Sequence, residues 1–518
     1  MKTGKFFDFS KAIAEDYLQT AVLLDDMAVF PESTKISKKI CNPVTRETEM
    51  AKSVLSEDAP DTAASSAELE PDGRAHDLDA KTVTDAFMKK GVICSIIKCD
   101  KNTFDSQKDS YIDLMKKADI VVLDWSLFKD GGQKITEIIG RLIETDKKLK
   151  ELRSIIIYTA AELTEVKKEL KKIDVIFEDS EYVSNNNSYT AVSLFNKESI
   201  TAVDERKVDF NHLVDKCIDE FTSAFYGIIP NVAMAAISEV RKNTHKILGV
   251  LNKDLDIAYL SHRALLPFPE DAEYHLEEII ADEIESIIHE NKVGGKASYD
   301  NIKEYDVIKN KRYQGICFSD CIEKGIDNII LESKTQLKND VKECFTQKWC
   351  CSTDNEPKIS ENKFAMITSM ITDYAHGKKY LNLGVIIESQ EDKKQKFLCL
   401  QPDCDSIRIE NTTDFLFIEL TEDAEYFGII VKNGEEFKKC KVAFGKKYRK
   451  SISFNDSGKG TVESDDNYEF KDADGKLYKY IGALKKLHAQ KIMNDYSAYI
   501  SRVGLNESEY LRRNRTKR

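Results

Sequence analysis

Five polar or charged side chains stand at or just after the ends of apolar runs in this sequence, and together they suit one reaction. Three carboxylates brought together would repel one another unless a hard cation held them, and Mg²⁺ is the usual cation for carboxylates and phosphate oxygens. One carboxylate could then attack a phosphoryl group, while a hydroxyl and an ammonium bind the oxygens of that group. The five residues are Asp25, Asp26, Asp124, Thr159 and Lys197.

Asp124 is the expected nucleophile of this set. Asp25 and Asp26 are adjacent in the chain and look like a pair that holds the metal, which leaves Asp124 to accept the phosphoryl group. An Asp-Asp pair after an apolar run is, by itself, most often part of a solvated loop. The hypothesis therefore depends on the elements that bring these residues together.

Strands alternate with helices over the first 200 residues, which predicts an α/β fold with a doubly wound parallel sheet. The carboxyl ends of parallel strands share one edge of such a sheet, where ligands bind. Five strands fit if 189–195 is the last; residues 174–177 compete for that place, and 184–188 would then be an extra loop. The predicted strands are 20–26, 92–98, 119–123, 154–158 and 189–195, and the predicted helices are 80–90, 111–117, 135–152 and 163–171.

The region from about residue 17 to 198 resembles the receiver domain of bacterial two-component response regulators. The motifs that carry the resemblance are LLDD at 23–26, IVVLDWSL at 120–127, DGG at 130–132, IIIYTA at 155–160 and FNK at 195–197. The resemblance implies a flavodoxin-like, five-stranded receiver fold. It also implies a partner histidine kinase from which Asp124 accepts a phosphoryl group.

The same resemblance implies roles for the other residues of the set. Asp25, Asp26 and Asp124 would hold Mg²⁺ together with the backbone carbonyl of Ser126. Thr159 and Lys197 would contact the phosphoryl group. A receiver that has lost phosphorylation, acting as a pseudo-receiver scaffold, is the alternative hypothesis for this region.

The sequence departs from the receiver pattern at three places. Residues 31–79 are rich in Ser, Thr, Ala, Glu, Asp and Pro, and they predict a long loop insertion after the first strand. Glu198 follows Lys197, where receivers usually have Pro. Leu194 occupies the position of the family's aromatic switch residue, with Phe195 next to it.

The rest of the chain predicts two further domains. Apolar residues at helical spacing predict a helical domain over 204–297, after a receiver-like domain over 1–203. Residues 298–518 predict a mixed α+β domain with strands at 381–388, 396–400, 406–409, 415–420 and 426–431 and a basic C-terminal helix from 477 to 502. The whole chain resembles large receiver-domain proteins found beside histidine-kinase-like ATPases in predicted anti-phage or conflict systems, which implies such an ATPase as partner and a separate effector.

Composition restricts the function classes. Asp plus Glu exceed Lys plus Arg by 90 to 77, so the net charge of −13 argues against nucleic-acid binding except through the basic C-terminus. No signal peptide or membrane span is predicted, and the protein is expected to be cytoplasmic. The cysteines from Cys317 to Cys404 contain no C-x-x-C motif, so we interpret them as reduced thiols rather than zinc ligands.

An effector enzyme in the C-terminal half is a further alternative. Glu332 and Lys334 form an E-x-K motif that occurs on nuclease strands, although the same stretch fits a helix over 326–345 better. Cys404 lies in an expected turn between strands and has no evident histidine partner. His262 and Arg263 could bind a phosphate, but a histidine that packs between helices is the more common case.

Overall fold

The computed structural model describes residues 4–30, 78–177, 183–187, 189–197, 206–308, 311–313, 315–333, 356–374, 377–391, 395–423, 425–434 and 436–501. The chain divides into two compact units, residues 1–310 and 311–518. The finer division at residues 203 and 297 stays a prediction. Most of the predicted 31–79 insertion lies outside the described residues, as do Lys334 and the basic residues after 501.

The first unit is built on one sheet with helices on both faces. Its strand order is β2-β1-β3-β4-β6-β5, and β7 also pairs with β6. The strands are β1 (Thr20–Asp25), β2 (Ile93–Lys98), β3 (Ile120–Leu123), β4 (Arg153–Thr159), β5 (Val183–Asn187), β6 (Thr190–Lys197) and β7 (Lys207–Val208). The helices around them are α1 (Lys5–Tyr17), α2 (Ala80–Lys89), α3 (Phe104–Met115), α4 (Gln133–Leu149), α5 (Leu163–Leu170) and α6 (Leu213–Phe225).

The predicted doubly wound sheet is confirmed, with additions. Strands β1, β2, β3, β4 and β6 are the five predicted parallel strands, and their order, β2-β1-β3-β4-β6, is that of a flavodoxin-like sheet. Residues 174–177 form no strand. The prediction of a loop over 184–188 is wrong for 184–187, because Val183–Asn187 forms a strand antiparallel to β6. Helix α1 and the short parallel strand β7 were not predicted either.

Two apolar clusters cover the two faces of this sheet. Alternate strand residues point to opposite faces, so Leu23 lies in one cluster while Val22 and Leu24 lie in the other. Helices α3, α4 and α5 cover the second face, and α1, α2 and α6 cover the first. Burial on both faces explains why the strands are continuous apolar runs.

The remaining helices of the first unit follow α6. These are α7 (Ile228–Val250), α8 (Asp256–Leu265), α9 (Asp271–Glu290) and the short α10 (Tyr299–Ile302). Helix α7 contacts α1 through its first half and contacts α9 as well. These helices agree with the helical character predicted for residues 204–297.

The second unit contains an eight-stranded antiparallel sheet of order β13-β14-β12-β11-β10-β17-β16, with β15 paired to β12. Its strands are β10 (Val385–Ser389), β11 (Lys396–Cys399), β12 (Thr412–Glu422), β13 (Ile429–Asn433), β14 (Glu436–Val442), β15 (Arg449–Asn455), β16 (Glu469–Lys471) and β17 (Leu477–Ala483). A two-stranded pair, β8 (Arg312–Tyr313) and β9 (Ile316–Cys317), precedes it. The helices are α11 (Phe318–Lys324), α12 (Ile326–Ser333), α13 (Glu356–Ser369), α14 (Asp403–Ser406) and α15 (Lys486–Ile500).

Two predictions for the second unit are wrong in part. The C-terminal helix was expected to start at residue 477, but Leu477–Ala483 is a strand and the helix starts at Lys486. The strand forms because Tyr478 packs into the core while the exposed Leu477 and Lys479 flank it, a two-residue alternation. The strand predicted over 406–409 is replaced by the end of α14 and a single bridge from Ile407 to Thr461.

Candidate functional site

Four of the five candidate residues lie at the carboxyl ends of neighbouring parallel strands. Asp25 ends β1, Thr159 ends β4 and Lys197 ends β6, while Asp124 directly follows β3. The register places Leu24 beside Leu123, so the residues that follow them come out at the same edge. The parallel sheet therefore gathers at one edge residues that are up to 172 positions apart in the chain.

The three carboxylates form one acidic cluster. One oxygen from each of Asp25, Asp26 and Asp124 lies within 4.8 Å of the others. The side chain of Asp25 is 3% exposed and that of Asp124 is 11% exposed. Among the described residues, this is the group of Asp, Glu, His and Cys side chains whose geometry could hold a metal ion.

Lys197 places its ammonium between two of these carboxylates. Its Nζ lies 2.8 Å from Oδ2 of Asp25 and 3.2 Å from Oδ2 of Asp124. Burial alone would lower the pKa of Lys197, but the two carboxylates outweigh it and raise that pKa. Lys197 therefore stays charged and partly balances the acidic cluster.

Asp26 offers the cluster an unused acceptor. Its Oδ2 accepts a hydrogen bond of 2.8 Å from the backbone N–H of Phe128, but its buried Oδ1 has no hydrogen-bond partner. A buried carboxylate oxygen without a donor is costly unless a cation binds it. The oxygen-only donor set and this free oxygen fit a hard cation such as Mg²⁺.

The pKa of the Asp124 carboxyl is raised above its ordinary value. Burial is the main cause; the nearby Lys197 lowers the pKa, and the charges of Asp25 and Asp26 raise it again. The charged form of Asp124 is thus held in the fold at a cost. Any further positive charge at the cluster would reduce that cost.

Thr159 is the last residue of β4, and hydrogen bonds fix the turn that follows it. Its hydroxyl oxygen accepts the N–H of Ala161 at 3.1 Å, which leaves the hydroxyl proton available to donate. The side-chain amide of Asn196 donates to the backbone carbonyls of Thr159 and Ala161, at 3.2 and 2.9 Å. Asn196 was missed from the sequence, although its position next to Lys197 was the available signal.

The loop after Asp124 is held by backbone hydrogen bonds. The carbonyl of Ser126, a predicted metal ligand, accepts the N–H of Lys129 at 3.1 Å. Asp130 accepts N–H groups from Gly132 and Lys134 at the start of α4, at 2.8 and 2.9 Å. The DGG motif thus caps the helix that follows the candidate phosphoacceptor.

A second missed contact joins the site to β7. The buried hydroxyl of Tyr158 donates to the carbonyl of Val208 at 2.6 Å, and Val208 is the register partner of Lys197. The ring of Phe195 faces the α6 side, with the Arg206 guanidinium 5.2 Å from its centre, whereas Leu194 belongs to the opposite cluster. Nothing in the sequence around Tyr158 indicated that its hydroxyl would bind the β7 backbone.

Other candidate residues do not join the cluster. Glu332 lies in helix α12, not in a strand, so the nuclease-strand interpretation loses its structural basis. Arg263 is paired with Glu273 at 2.7 Å, and the His262 ring packs near that of His275. Cys404 is exposed at the start of a short helix. No helix within the described ranges is both long and apolar enough to span a membrane.

Comparison with known proteins agrees with this geometry. Residues 17–202 match the family model of the response receiver domain. Neither the curated proteins nor the solved structures yield a match to the chain. The matched range contains all five residues of the site and the five parallel strands that position them. Residues 17–202 are therefore a response receiver domain, a module of phosphorylation-dependent two-component signalling.

Proposed function

We propose that the protein is a signalling protein in which Asp124 accepts a phosphoryl group from a partner histidine kinase or histidine-kinase-like ATPase. The observation that carries the proposal is the meeting of Asp25, Asp26, Asp124 and Lys197 at one edge of the sheet, with Lys197 bonded to two of the carboxylates. A phosphoacceptor site needs a carboxylate nucleophile, a cation site and a group that binds the transferred oxygens. The side chains of this cluster suit each of these three roles.

Asp124 is the carboxylate best placed to react. Asp25 uses Oδ1 to accept the N–H of Met27 at 2.7 Å and Oδ2 to accept from Lys197. Asp26 is fixed by the N–H of Phe128. Asp124 is more exposed than Asp25, and its only side-chain hydrogen bond among the described residues is the one from Lys197.

The proposed step is an in-line transfer between two nucleophiles. An oxygen of Asp124 forms a bond to phosphorus while the bond from phosphorus to a phosphohistidine nitrogen of the donor breaks, and that imidazole nitrogen keeps the electron pair. The product is an acyl phosphate on Asp124. Lys197 can then exchange its bond to Asp124 for one to a phosphoryl oxygen, and the Thr159 hydroxyl can donate to another.

The site residues also fit Mg²⁺. Asp25, Asp26 and Asp124 would hold the ion together with the backbone carbonyl of Ser126, and Asp26 supplies the buried oxygen that has no donor. When bound, Mg²⁺ would supply charge neutralisation for the incoming phosphoryl oxygens. The protein's own residues position the nucleophile.

The test uses a small phosphodonor, so that the unidentified kinase is not needed. The full chain is incubated with acetyl phosphate and MgCl₂, and intact-mass spectrometry measures addition of one phosphoryl group. We expect addition to the wild type and to Asp130→Asn, and none to Asp124→Asn. Asp130 is a suitable control because it lies six residues further on and serves the fold by capping α4.

Beryllofluoride with Mg²⁺ mimics the bound phosphoryl group. Its binding shows whether a failure of phosphorylation is due to an unsuitable donor or to a site that cannot hold the group. Mg-dependent beryllofluoride binding to the wild type, and its absence in Asp124→Ala, supports the proposal even if acetyl phosphate is a poor donor. Equal, negligible binding to both proteins would contradict it. The region would then be a pseudo-receiver scaffold, the alternative hypothesis for this sequence.

The output of phosphorylation is proposed to act through the rest of the chain. A new phosphoryl charge must change the balance between two arrangements of the protein to be read. A role in anti-phage defence is the finer part of this proposal and comes from the resemblance of the whole chain. It is tested by comparing phage plaque counts on cells that carry the wild-type or the Asp124→Asn gene with its neighbouring genes.

A further inference from the structure

Helix α7 carries large apolar side chains both on its buried side and on its exposed side. The buried side packs into the first unit through Met234 and Ala235. Ile229, Ile237 and Leu248 are 64%, 45% and 67% exposed, and the spacing of eleven residues puts Ile237 and Leu248 on one side of the helix. A helix at the surface of a protein normally turns a polar face to water, whereas a helix that is apolar all round is covered.

The two helices that follow α7 bury very little. Helix α8 has no buried residue, and α9 has one, Ala272. Helix α9 carries four aliphatic residues at a spacing of four, Leu276, Ile280, Ile284 and Ile288. The first three of them are exposed. Large apolar side chains are thus concentrated on α7, α8 and α9, and the exposed ones are Ile229, Ile237, Leu248, Val250, Ile257, Leu260, Leu265, Tyr274, Leu276, Ile280 and Ile284.

The charges of α7 and α9 are complementary. Residues 240–250 of α7 contain Arg241, Lys242 and Lys246 and no Asp or Glu, whereas α9 contains eight Asp or Glu and no Lys or Arg. Arg241 and Lys242 already pair with Asp119 and Asp16 of the same unit. Lys246 of α7 and Asp282 of α9 have no ion-pair partner in the described part of the chain. A surface that carries both signs on neighbouring helices can pair with a copy of itself when the copy is turned by a two-fold rotation.

The size of this surface is in the range of a stable interface. Helices of 23 and 20 residues are about 35 and 30 Å long, so two of them side by side present a face of roughly 600 Å². Helix α8 adds to it. A standard interface buries about 800 Å² on each partner.

We propose that helices α7, α8 and α9 form a homodimerisation surface, whose occupant is a second copy of this chain. Helices α7 and α9 of each copy build a four-helix bundle, in which Ile237 and Leu248 of α7 and the aliphatic stripe of α9 enter the core. Lys246 of α7 then lies near the acidic α9 of the partner. Each such contact is made twice across the two-fold axis.

Sedimentation equilibrium of the full chain tests this assignment. We expect a mass of about twice 59.0 kDa at micromolar concentration. The double variant Ile237→Glu/Leu248→Glu places two charges in the bundle core and is expected to raise the dimer dissociation constant by about 100-fold or more. Lys246→Glu is expected to weaken the dimer by a smaller factor, which decreases at high salt.

Ile93→Glu is the matched control, because Ile93 is 74% exposed on β2 of the same unit and lies outside the three helices. It is expected to leave the dimer unchanged. Circular dichroism and beryllofluoride binding show whether each variant is folded, and they do not depend on the dimer. A monomeric wild type, or a dimer that survives in folded Ile237→Glu/Leu248→Glu, would overturn the proposal; neither result bears on Asp124.

Discussion

At the scale of single residues, the site holds more negative charge than it neutralises. Three carboxylates meet one ammonium, that of Lys197, and the pKa of Asp124 is raised mainly because this carboxylate is buried. Burial and the neighbouring acids prevail over the attraction to Lys197. A negative charge on Asp124, the proposed nucleophile, therefore costs stability, as is common for functional carboxylates.

Asp124→Asn is therefore expected to stabilise the first unit at neutral pH, by about 1 kcal/mol. A carboxyl group whose pKa is raised by folding stabilises the fold only at low pH, below its ordinary pKa. That contribution is lost as pH rises through the raised pKa. The variant should therefore gain stability over the wild type as pH rises, and the two should converge near about pH 4.

Urea unfolding measures this difference through the fluorescence of Trp125, which is buried in the first unit, in a Trp349→Phe background. Mg²⁺ should stabilise the wild type more than Asp124→Asn, and so reduce the difference between their free energies of unfolding. Asp130→Ala should instead be less stable than the wild type, because it removes the cap of α4. A wild type more stable than Asp124→Asn at neutral pH would contradict the argument.

The contact between Tyr158 and Val208 gives a second prediction at this scale. Tyr158→Phe leaves the buried Val208 carbonyl without its donor, so we expect a loss of about 1 to 2 kcal/mol and faster hydrogen exchange in residues 206–210. Tyr111→Phe, which removes an exposed hydroxyl on α3, should have little effect. Unchanged exchange in residues 206–210 of Tyr158→Phe would show that the bond does not hold β7.

The meeting of the candidate residues at one edge could be predicted from sequence, because each of them ends or follows a continuous apolar strand. Parallel strands share an edge, so Asp25, Asp124 and Lys197 had to meet there. The contacts that surround them could not be predicted. The Asn196 amide and the Tyr158 hydroxyl act on backbone carbonyls, and nothing in the residue types shows which carbonyl lies within reach.

At the scale of elements, the turn from Asp124 to α4 depends on two glycines in the left-handed region. Gly131 has φ +70° and no atom within 4 Å of an added Cβ, whereas Gly132 has φ +88° and a Cβ there would collide with the Trp125 ring. An alanine at position 131 would therefore cause backbone strain alone, whereas an alanine at position 132 would cause both backbone strain and a collision. The collision would reach Trp125, the residue directly after Asp124.

Gly131→Ala is expected to cost about 1 kcal/mol, since only the left-handed backbone is penalised. Gly132→Ala is expected to cost about 3 kcal/mol, because the methyl group also displaces the buried Trp125 ring. Urea unfolding followed by Trp125 fluorescence compares the two. Equal costs would mean that the ring moves freely, and the position of Asp124 would then not depend on this packing.

Elements with a strong apolar pattern were predictable, and those formed by polar sequence were not. The strand Val183–Asn187 contains three asparagines, which favour loops, and it forms because β6 offers an open edge for pairing. The strand Leu477–Ala483 was assigned to the following helix, although Tyr478, Lys479 and Tyr480 alternate with the two-residue period of a strand. In both cases a neighbouring strand decided the structure.

At the scale of the whole molecule, the receiver sheet is not complete at the end of its matched range. The match ends at residue 202, but α6 covers one face of the sheet with Leu213, Ile218 and Phe221, in the same apolar cluster as Ile120 and Ile156. Helix α1, which precedes the match, belongs to that cluster too. The core of the first unit therefore draws on chain from both sides of the receiver match.

A fragment of residues 1–310 is expected to fold and bind Mg²⁺ with beryllofluoride as the full chain does, because it contains the whole of the first compact unit.

A fragment of residues 1–203, which ends at the predicted domain boundary, would lack α6. It would leave one face of the sheet uncovered. The packing of six buried α6 side chains would be lost, those of Leu213, Val214, Cys217, Ile218, Phe221 and Phe225. At about 1.5 to 3 kcal/mol for each large side chain, this loss approaches or exceeds the total stability of a domain. Circular dichroism and beryllofluoride binding compare the two fragments, and a folded, binding-competent 1–203 fragment would instead support the boundary at residue 203.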